Sequence, residues 1–120
     1  MQIDDLLKIM VEKNASDLHL RVGSPPMFRI FGKLSAIKDL PSITNQDSEL
    51  IYESITTQAQ KKIFAENLEL DCAYSVPGTG RFRVNVLRQR GTLAFAIRLV
   101  PIIIPTIDKL KLPQSVRNLF

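Results

Sequence analysis

In 120 residues the chain has one cysteine, one histidine and no tryptophan, and each scarcity removes a class of explanation. Cys72 alone cannot close an internal disulfide, and its place in the alternating stretch Leu68-Glu69-Leu70-Asp71-Cys72-Ala73-Tyr74 reads as a small buried residue, not a reactive thiol. With His19 the only imidazole, a Cys/His metal cage has too few ligands. No nucleophile, base and orienting group can be assembled either. A phosphate loop of the form G-x-x-x-x-G-K-[ST] is excluded: the only Gly-Lys pair is Gly32-Lys33, with Met27 where the first glycine belongs and Leu34 where Ser or Thr belongs. No apolar run approaches the ~20 residues of a membrane span. The start, Met1-Gln2-Ile3-Asp4-Asp5, lacks the basic and apolar regions of a signal peptide. The expectation is a soluble, intracellular domain, and 45% hydrophobic residues suffice for a modest core.

What is present is a charge asymmetry. Residues 1–80 carry a net charge of −3 and residues 81–120 a net charge of +7, with Asp108 the only acid in the second part. In Arg81-Phe82-Arg83-Val84-Asn85-Val86-Leu87 and Leu93-Ala94-Phe95-Ala96-Ile97-Arg98-Leu99, apolar residues alternate, so Phe82, Val84, Val86, Leu93, Phe95, Ile97 and Leu99 form one face. Arg81, Arg83 and Arg98 are left on the other. A tight reversal at Arg90-Gly91 would set Phe82 opposite Leu99, Val84 opposite Ile97, Val86 opposite Phe95 and Arg83 opposite Arg98, while a slip by one residue would move Arg98 opposite Asn85 and keep the arginines on the same face. Like charges across a ladder cost from a few tenths to about 1 kcal/mol. Folding therefore offers no reason for that pair, whereas an anion would. Arg88 and Arg90 read as a solvated rim.

Along the chain, Ile3, Leu6, Leu7, Met10 and Val11 recur at helical spacing, with Asp4 and Asp5 in the first turn and Asn14 as terminator. Alternating segments from Asp17 to Val22 and from Met27 to Phe31 surround Gly23-Ser24-Pro25-Pro26, a hairpin pattern that Gly32 to Ile37 can extend. Thr44 with Asp47 and Thr57 with Gln60 mark helix starts, predicting helices over 45–55 and 58–67, the first with Leu50, Ile51 and Ile55 on its apolar face. Strands follow near 69–76, 81–89 and 92–100, with Gly78-Thr79-Gly80 as a turn. This order favours an antiparallel α+β layer over a parallel sheet. Pro101-Ile102-Ile103-Ile104-Pro105 reads as a semi-rigid connector, and 114–120 as the start of a further helix whose apolar face is still to be covered. Among the remaining polar residues, Asp17 is expected to bond nearby backbone donors, His19 to make a structural hydrogen bond, and Arg29 to pair with Asp17.

Ala15-Ser16-Asp17-Leu18-His19-Leu20, then Pro25-Pro26-Met27-Phe28-Arg29-Ile30-Phe31-Gly32-Lys33-Leu34, then Arg81-Phe82-Arg83-Val84-Asn85 closely resembles the N-terminal domain of the hexameric secretion ATPases. Within that superfamily it looks most like the type IV pilus retraction, or twitching motility, ATPases. The resemblance covers essentially the whole chain and implies a PAS-like domain at 1–100 with helices packed on one face of an antiparallel sheet. It further implies a linker at 101–113, with Pro101 and Pro105 as hinge, and the start of a RecA-like ATPase domain at 114–120. The phosphate loop of that domain is missing, so this fragment alone is not expected to hydrolyse ATP or to hold a cofactor. The parent would use ATP and Mg.

In the family, arginines of this domain reach the phosphates of ATP when it closes on the RecA-like domain. The resemblance carries that role to Arg83 and Arg98, with Arg81 beside them as a third candidate. Implied partners are the RecA-like domains of the same and neighbouring subunits of a homo-hexamer and the pilus inner-membrane platform. Nucleic acid is not among them. The implied location is cytoplasmic, peripheral at the inner membrane through the pilus machinery. Only 15 residues precede Asp17-Leu18-His19 with its Ser16, which favours retraction over the pilus-assembly and type II secretion ATPases, whose members usually carry an extra preceding domain. Two other classes stay open: a nucleic-acid-binding module and a PAS-like ligand sensor.

Overall fold

Helix α1, Ile3–Glu12, forms where the helical spacing predicts it, and buries Ile3, Leu6, Leu7 and Met10. It ends as Asn14 turns into the left-handed region at φ 57°. The computed structural model describes residues 2–101. Strands β1 (Ala15–Arg21), β2 (Met27–Ile30) and β3 (Lys33–Ala36) follow, then helices α2 (Asn45–Ile55) and α3 (Gln58–Asn67), and strands β4 (Glu69–Val76), β5 (Gly80–Gln89) and β6 (Thr92–Val100). The strands make one six-stranded sheet in the order β3-β2-β1-β6-β5-β4, with every neighbouring pair antiparallel.

Both later helices start at reciprocal caps. The Thr44 hydroxyl accepts from the Asp47 backbone N–H at 3.0 Å, while the Asp47 carboxylate accepts from the Thr44 N–H at 3.0 Å. Thr57 and Gln60 repeat this at 3.2 and 2.8 Å. Such a cap is worth about 1 kcal/mol. One expected face differs: α2 buries Ser48, Ile51, Tyr52 and Ile55, spaced i, i+3, i+4, i+7, and leaves Leu50 54% exposed. The register against the sheet is set by Ile51 and Ile55, and Leu50 lies about a third of a turn away from them.

The reversal between β5 and β6 sits at Arg90-Gly91, where both residues have positive φ (51° and 82°), the turn form that matches the twist of paired strands. The register is the expected one: Phe82↔Leu99, Arg83↔Arg98, Val84↔Ile97, Val86↔Phe95. On β1 the same face carries Leu18 and Leu20, opposite Ile97 and Phe95. Phe28, Leu70 and Cys72 continue it outward on β2 and β4. Helices α1, α2 and α3 lie against β1, β6 and β4 respectively, closing the core around Phe28, Phe82, Leu18 and Leu93, all fully buried. Each contributes roughly 1.5–3 kcal/mol on removal from water. The N-terminal end of α1 is tied to β4 by the Tyr74 hydroxyl, which donates to Asp4 Oδ1 at 2.7 Å. Burial, then this bond and the Asp4 charge, push the Tyr74 pKa to about 12. Cys72 is buried and its thiol pKa is raised, mainly by that burial.

With the helices on one side, the opposite face of the central strands is open. Of the expected connector over 101–113, only Pro101 is described, and it is exposed. Pro105 and the helix expected over 114–120 lie outside the described residues.

Candidate functional site

Alternation along each strand brings Asp17, Arg29, Arg83 and Arg98 onto the open face, and the register arranges them in a row. Asp17 is paired with Arg29 on one side and Arg98 on the other, and Arg98 with Arg83. Asp71, opposite Asn85 on β4, sits one step along from Arg83. Across β2-β1-β6-β5-β4 the charges therefore run plus, minus, plus, plus, minus.

Arg83 and Arg98 are 69% and 75% exposed, so neither guanidinium is buried. Each nevertheless has a carboxylate partner. Arg83 donates through Nε and Nη2 to the two oxygens of Asp71, at 3.2 and 2.6 Å. Arg98 donates through Nε to Asp17 Oδ1 at 3.1 Å. The reading that folding offers no reason for the arginine pair is thereby corrected. Acids on the outer strands β4 and β1 offset the repulsion between β5 and β6.

Asp17 is the most enclosed member of the row, 15% exposed. The bonds to nearby backbone donors expected from sequence are not found for it among the described residues. Its carboxylate accepts from the Ser16 hydroxyl at 2.8 Å and lies 3.5 Å from Arg29 Nε, the pairing expected for Arg29. Burial pushes its pKa up, but the bonds from Ser16 and Arg98 and the charges of Arg98 and Arg29 outweigh that, and the net shift is downward. Asp71 is also lowered, chiefly by its bond to Arg83, and Arg83 is raised in return.

Between the two arginines lies a shallow depression of about 270 Å³ lined by Asp71, Arg83, Asn85, Ala96 and Arg98. Ala96 makes an exposed floor, so a ligand can approach both guanidinium groups over a small side chain. Arg81 is exposed on the same face and has no acidic partner among the described residues. The depression thus combines two guanidinium groups and an amide beside the Asp71 carboxylate, while Arg81 lines an adjoining hollow with Arg83; guanidinium and amide N–H groups are donors suited to phosphate oxygens.

Other residues fall elsewhere. Arg88 does not join a solvated rim. It projects to the helix side, where Nη1 lies 3.7 Å from Glu49 and its guanidinium carbon 5.7 Å from the Phe64 ring centre. Even-numbered β5 residues face the core, and at Arg88 that core is the α2–α3 corner. Arg90 is exposed at the turn, as expected. The structural hydrogen bond expected for His19 is not found, since its side chain makes none among the described residues. It lines a separate hollow with Arg21, Met27 and Leu34. Sequence reasoning missed the role of Asp71. The Pro77-Gly78-Thr79 turn fixes Val76 opposite Gly80, and counting back along that register would have placed Asp71 beside Arg83.

No family model matches the chain. The type IV pilus ATPase PilU of Pseudomonas aeruginosa is 35% identical over 119 residues, which are 99% of this chain and 31% of that protein. The type IV pilus retraction ATPase PilT of the same organism is 39% identical over 110 residues, 92% of this chain and 32% of that protein. Among solved structures, the pilus retraction motor PilT with bound ADP superposes with a TM-score of 0.82 at 39% identity, over 97% of this chain and 34% of that one. The fold is also that of the Legionella pneumophila ATPase DotB, with a TM-score of 0.71 at 22% identity, over 97% of this chain and 33% of that one. The chain spans about a third of the length of the relatives it matches. Over nearly all of its own length it is homologous to the type IV pilus ATPases PilT and PilU, and its α+β fold is that of the PilT N-terminal domain.

Proposed function

We propose that this chain is the nucleotide-responsive, subunit-contacting N-terminal part of a hexameric cytoplasmic ATPase that powers type IV pilus retraction, with Arg83 and Arg98 as ligands to the nucleotide phosphates. The observation that carries this reading is the exposed pair itself, set in register on adjacent strands over the Ala96 floor. The names of PilT and PilU and the ADP bound in the PilT structure support it.

The donor set fits a polyphosphate. Arginine offers a planar fork to phosphate oxygens and keeps its charge at any relevant pH. Among the described residues no group of three or more His, Cys, Asp or Glu could hold a metal, so Mg²⁺ would be held by the phosphates and by the part of the parent outside this chain. ATP bound there draws Arg83 and Arg98 inward, the connector beginning at Pro101 acts as the hinge, and closure against the RecA-like domains of the same and the neighbouring subunit changes the shape of the ring. The ring passes its work to the pilus platform at the inner membrane. Among the described residues no helix is long and apolar enough to cross a membrane.

A nucleic-acid module would need aromatic rings interleaved with the arginines. Phe82 and Phe95 are buried on the opposite face. Steady-state ATPase measurements on the full-length parent test the proposal: Arg83→Ala and Arg98→Ala should each lower turnover at least about tenfold, the effect of ~1.4 kcal/mol of lost transition-state stabilisation. Wild-type turnover in both variants would defeat it.

A further inference from the structure

Arg83 and Arg98 stand side by side, but their donors are not equally free. The Nε and Nη2 groups that Arg83 gives to Asp71 are one complete edge of the guanidinium, one of the two edges able to grip a phosphate by two parallel bonds. Arg98 gives only Nε to Asp17, and its terminal nitrogens have no partner among the described residues.

The two carboxylates differ in the same sense. Asp17 is largely enclosed and bridges Arg98 and Arg29, with Ser16 as a third donor. Asp71 is 46% exposed, and Arg83 is the one side chain it engages among the described residues. A half-exposed carboxylate held by one partner can exchange that partner for water at little cost. A carboxylate wedged between two guanidinium groups cannot, because leaving would strand a poorly hydrated charge.

We propose that Asp71 is a displaceable gate that occupies Arg83 until a polyphosphate takes its place, while Asp17 is a fixed strut that aims the open end of Arg98 into the depression. This rests on the phosphate reading of the arginine pair given above. An incoming phosphate chain meets Arg98 first. A side-on, two-bond grip by the Nε and Nη2 edge of Arg83 then requires the Asp71 carboxylate to swing to solvent, whereas the Nη1 end of Arg83 stays open to a first, weaker contact. No bond is made or broken beyond hydrogen bonds, and the exchange replaces one negative charge on Arg83 by the larger charge of the phosphate chain. The gate therefore favours ligands with several negative charges over monoanions. Asp71 is a positioning residue that acts through Arg83.

The experiment uses the full-length parent, with KM for ATP, kcat and the inhibition constant of inorganic tripolyphosphate measured for Asp71→Asn, Asp71→Ser, Arg83→Ala and the double variant Arg83→Ala/Asp71→Asn. Asp71→Ser guards against an asparagine that still accepts from Arg83, and thermal melts establish that each variant is folded. Removing the gate should lower KM and the tripolyphosphate constant by about two- to five-fold, the factor an exposed ion pair supports. That gain should vanish in the Arg83→Ala background. Unchanged or raised constants in both Asp71 variants, with Arg83→Ala impaired, or an effect confined to kcat, would overturn the gate and leave the phosphate reading standing. Wild-type constants in Arg83→Ala would remove the gate and Arg83 as a phosphate ligand, and the phosphate reading as a whole falls only if Arg98→Ala is wild type as well.

Discussion

Arg83 and Arg98 are directly opposed across β5 and β6, yet each donates to a carboxylate on the far side of its own strand, Asp71 on β4 and Asp17 on β1. The repulsion between the arginines is met within the fold, while both guanidinium groups stay largely in solvent. A charged pair that is structurally tolerated and still accessible is what a site for a transient anion requires.

The two arginines should differ in what they do for stability. Arg83→Ala breaks an exposed pair, and thermal or denaturant unfolding should be close to that of the unmodified chain. Arg98→Ala leaves the enclosed Asp17 with Arg29 and Ser16 among the described residues, and should cost more, up to about 1 kcal/mol. Equal costs for the two would contradict the asymmetry of the row.

Lysine should not replace either arginine in the parent's ATPase cycle. A point charge on a flexible stem satisfies the neighbouring acid but cannot supply two parallel donors to a phosphate. Turnover in Arg83→Lys and Arg98→Lys is expected to stay closer to the alanine variants than to wild type, and full recovery would show that charge alone matters.

Asp17 predicts a particular acid dependence. Its folded pKa lies below the unfolded value of about 3.9. Its contribution is therefore fully present above the unfolded value and is lost as pH falls through the lower folded one. Melting curves from pH 7 to pH 2 should show Asp17→Asn less stable at neutral pH and less sensitive to acid below about pH 4. Parallel pH profiles for wild type and variant would count against the bridged geometry.

Neighbouring positions on α2 should behave oppositely. Ile51 is 1% exposed and Leu50 is 54% exposed. Ile51→Ala should destabilise by about 2–5 kcal/mol and Leu50→Ala by less than about 0.5 kcal/mol. Chemical denaturation of the two variants decides whether the helix is phased as described.

The turn between β5 and β6 gives a last test. Gly91 has φ 82°, and an added Cβ would meet nothing within 4 Å, so Gly91→Ala pays only for the left-handed backbone, about 1 kcal/mol. A neutral result in denaturant melts would mean that another turn form is adopted.

Much of this fold is written in local pattern. Alternation marked β5 and β6, helical spacing marked α1, and Thr44/Asp47 and Thr57/Gln60 marked the starts of α2 and α3, because each signal comes from residues a few positions apart that meet through backbone geometry alone. The Arg90-Gly91 reversal likewise fixed the facing of Arg83 and Arg98. Leu50 was misassigned because hydrophobicity along one helix does not say which of its apolar residues the sheet will cover. What only the tertiary structure decided is the setting of the arginine pair. Asp17 and Arg98 are 81 residues apart, and nothing local states that β1 pairs with β6. That adjacency follows from closing one apolar face around a common core. It turns two isolated charges into a row in which one acid is enclosed between two guanidinium groups and the other is half exposed beside one.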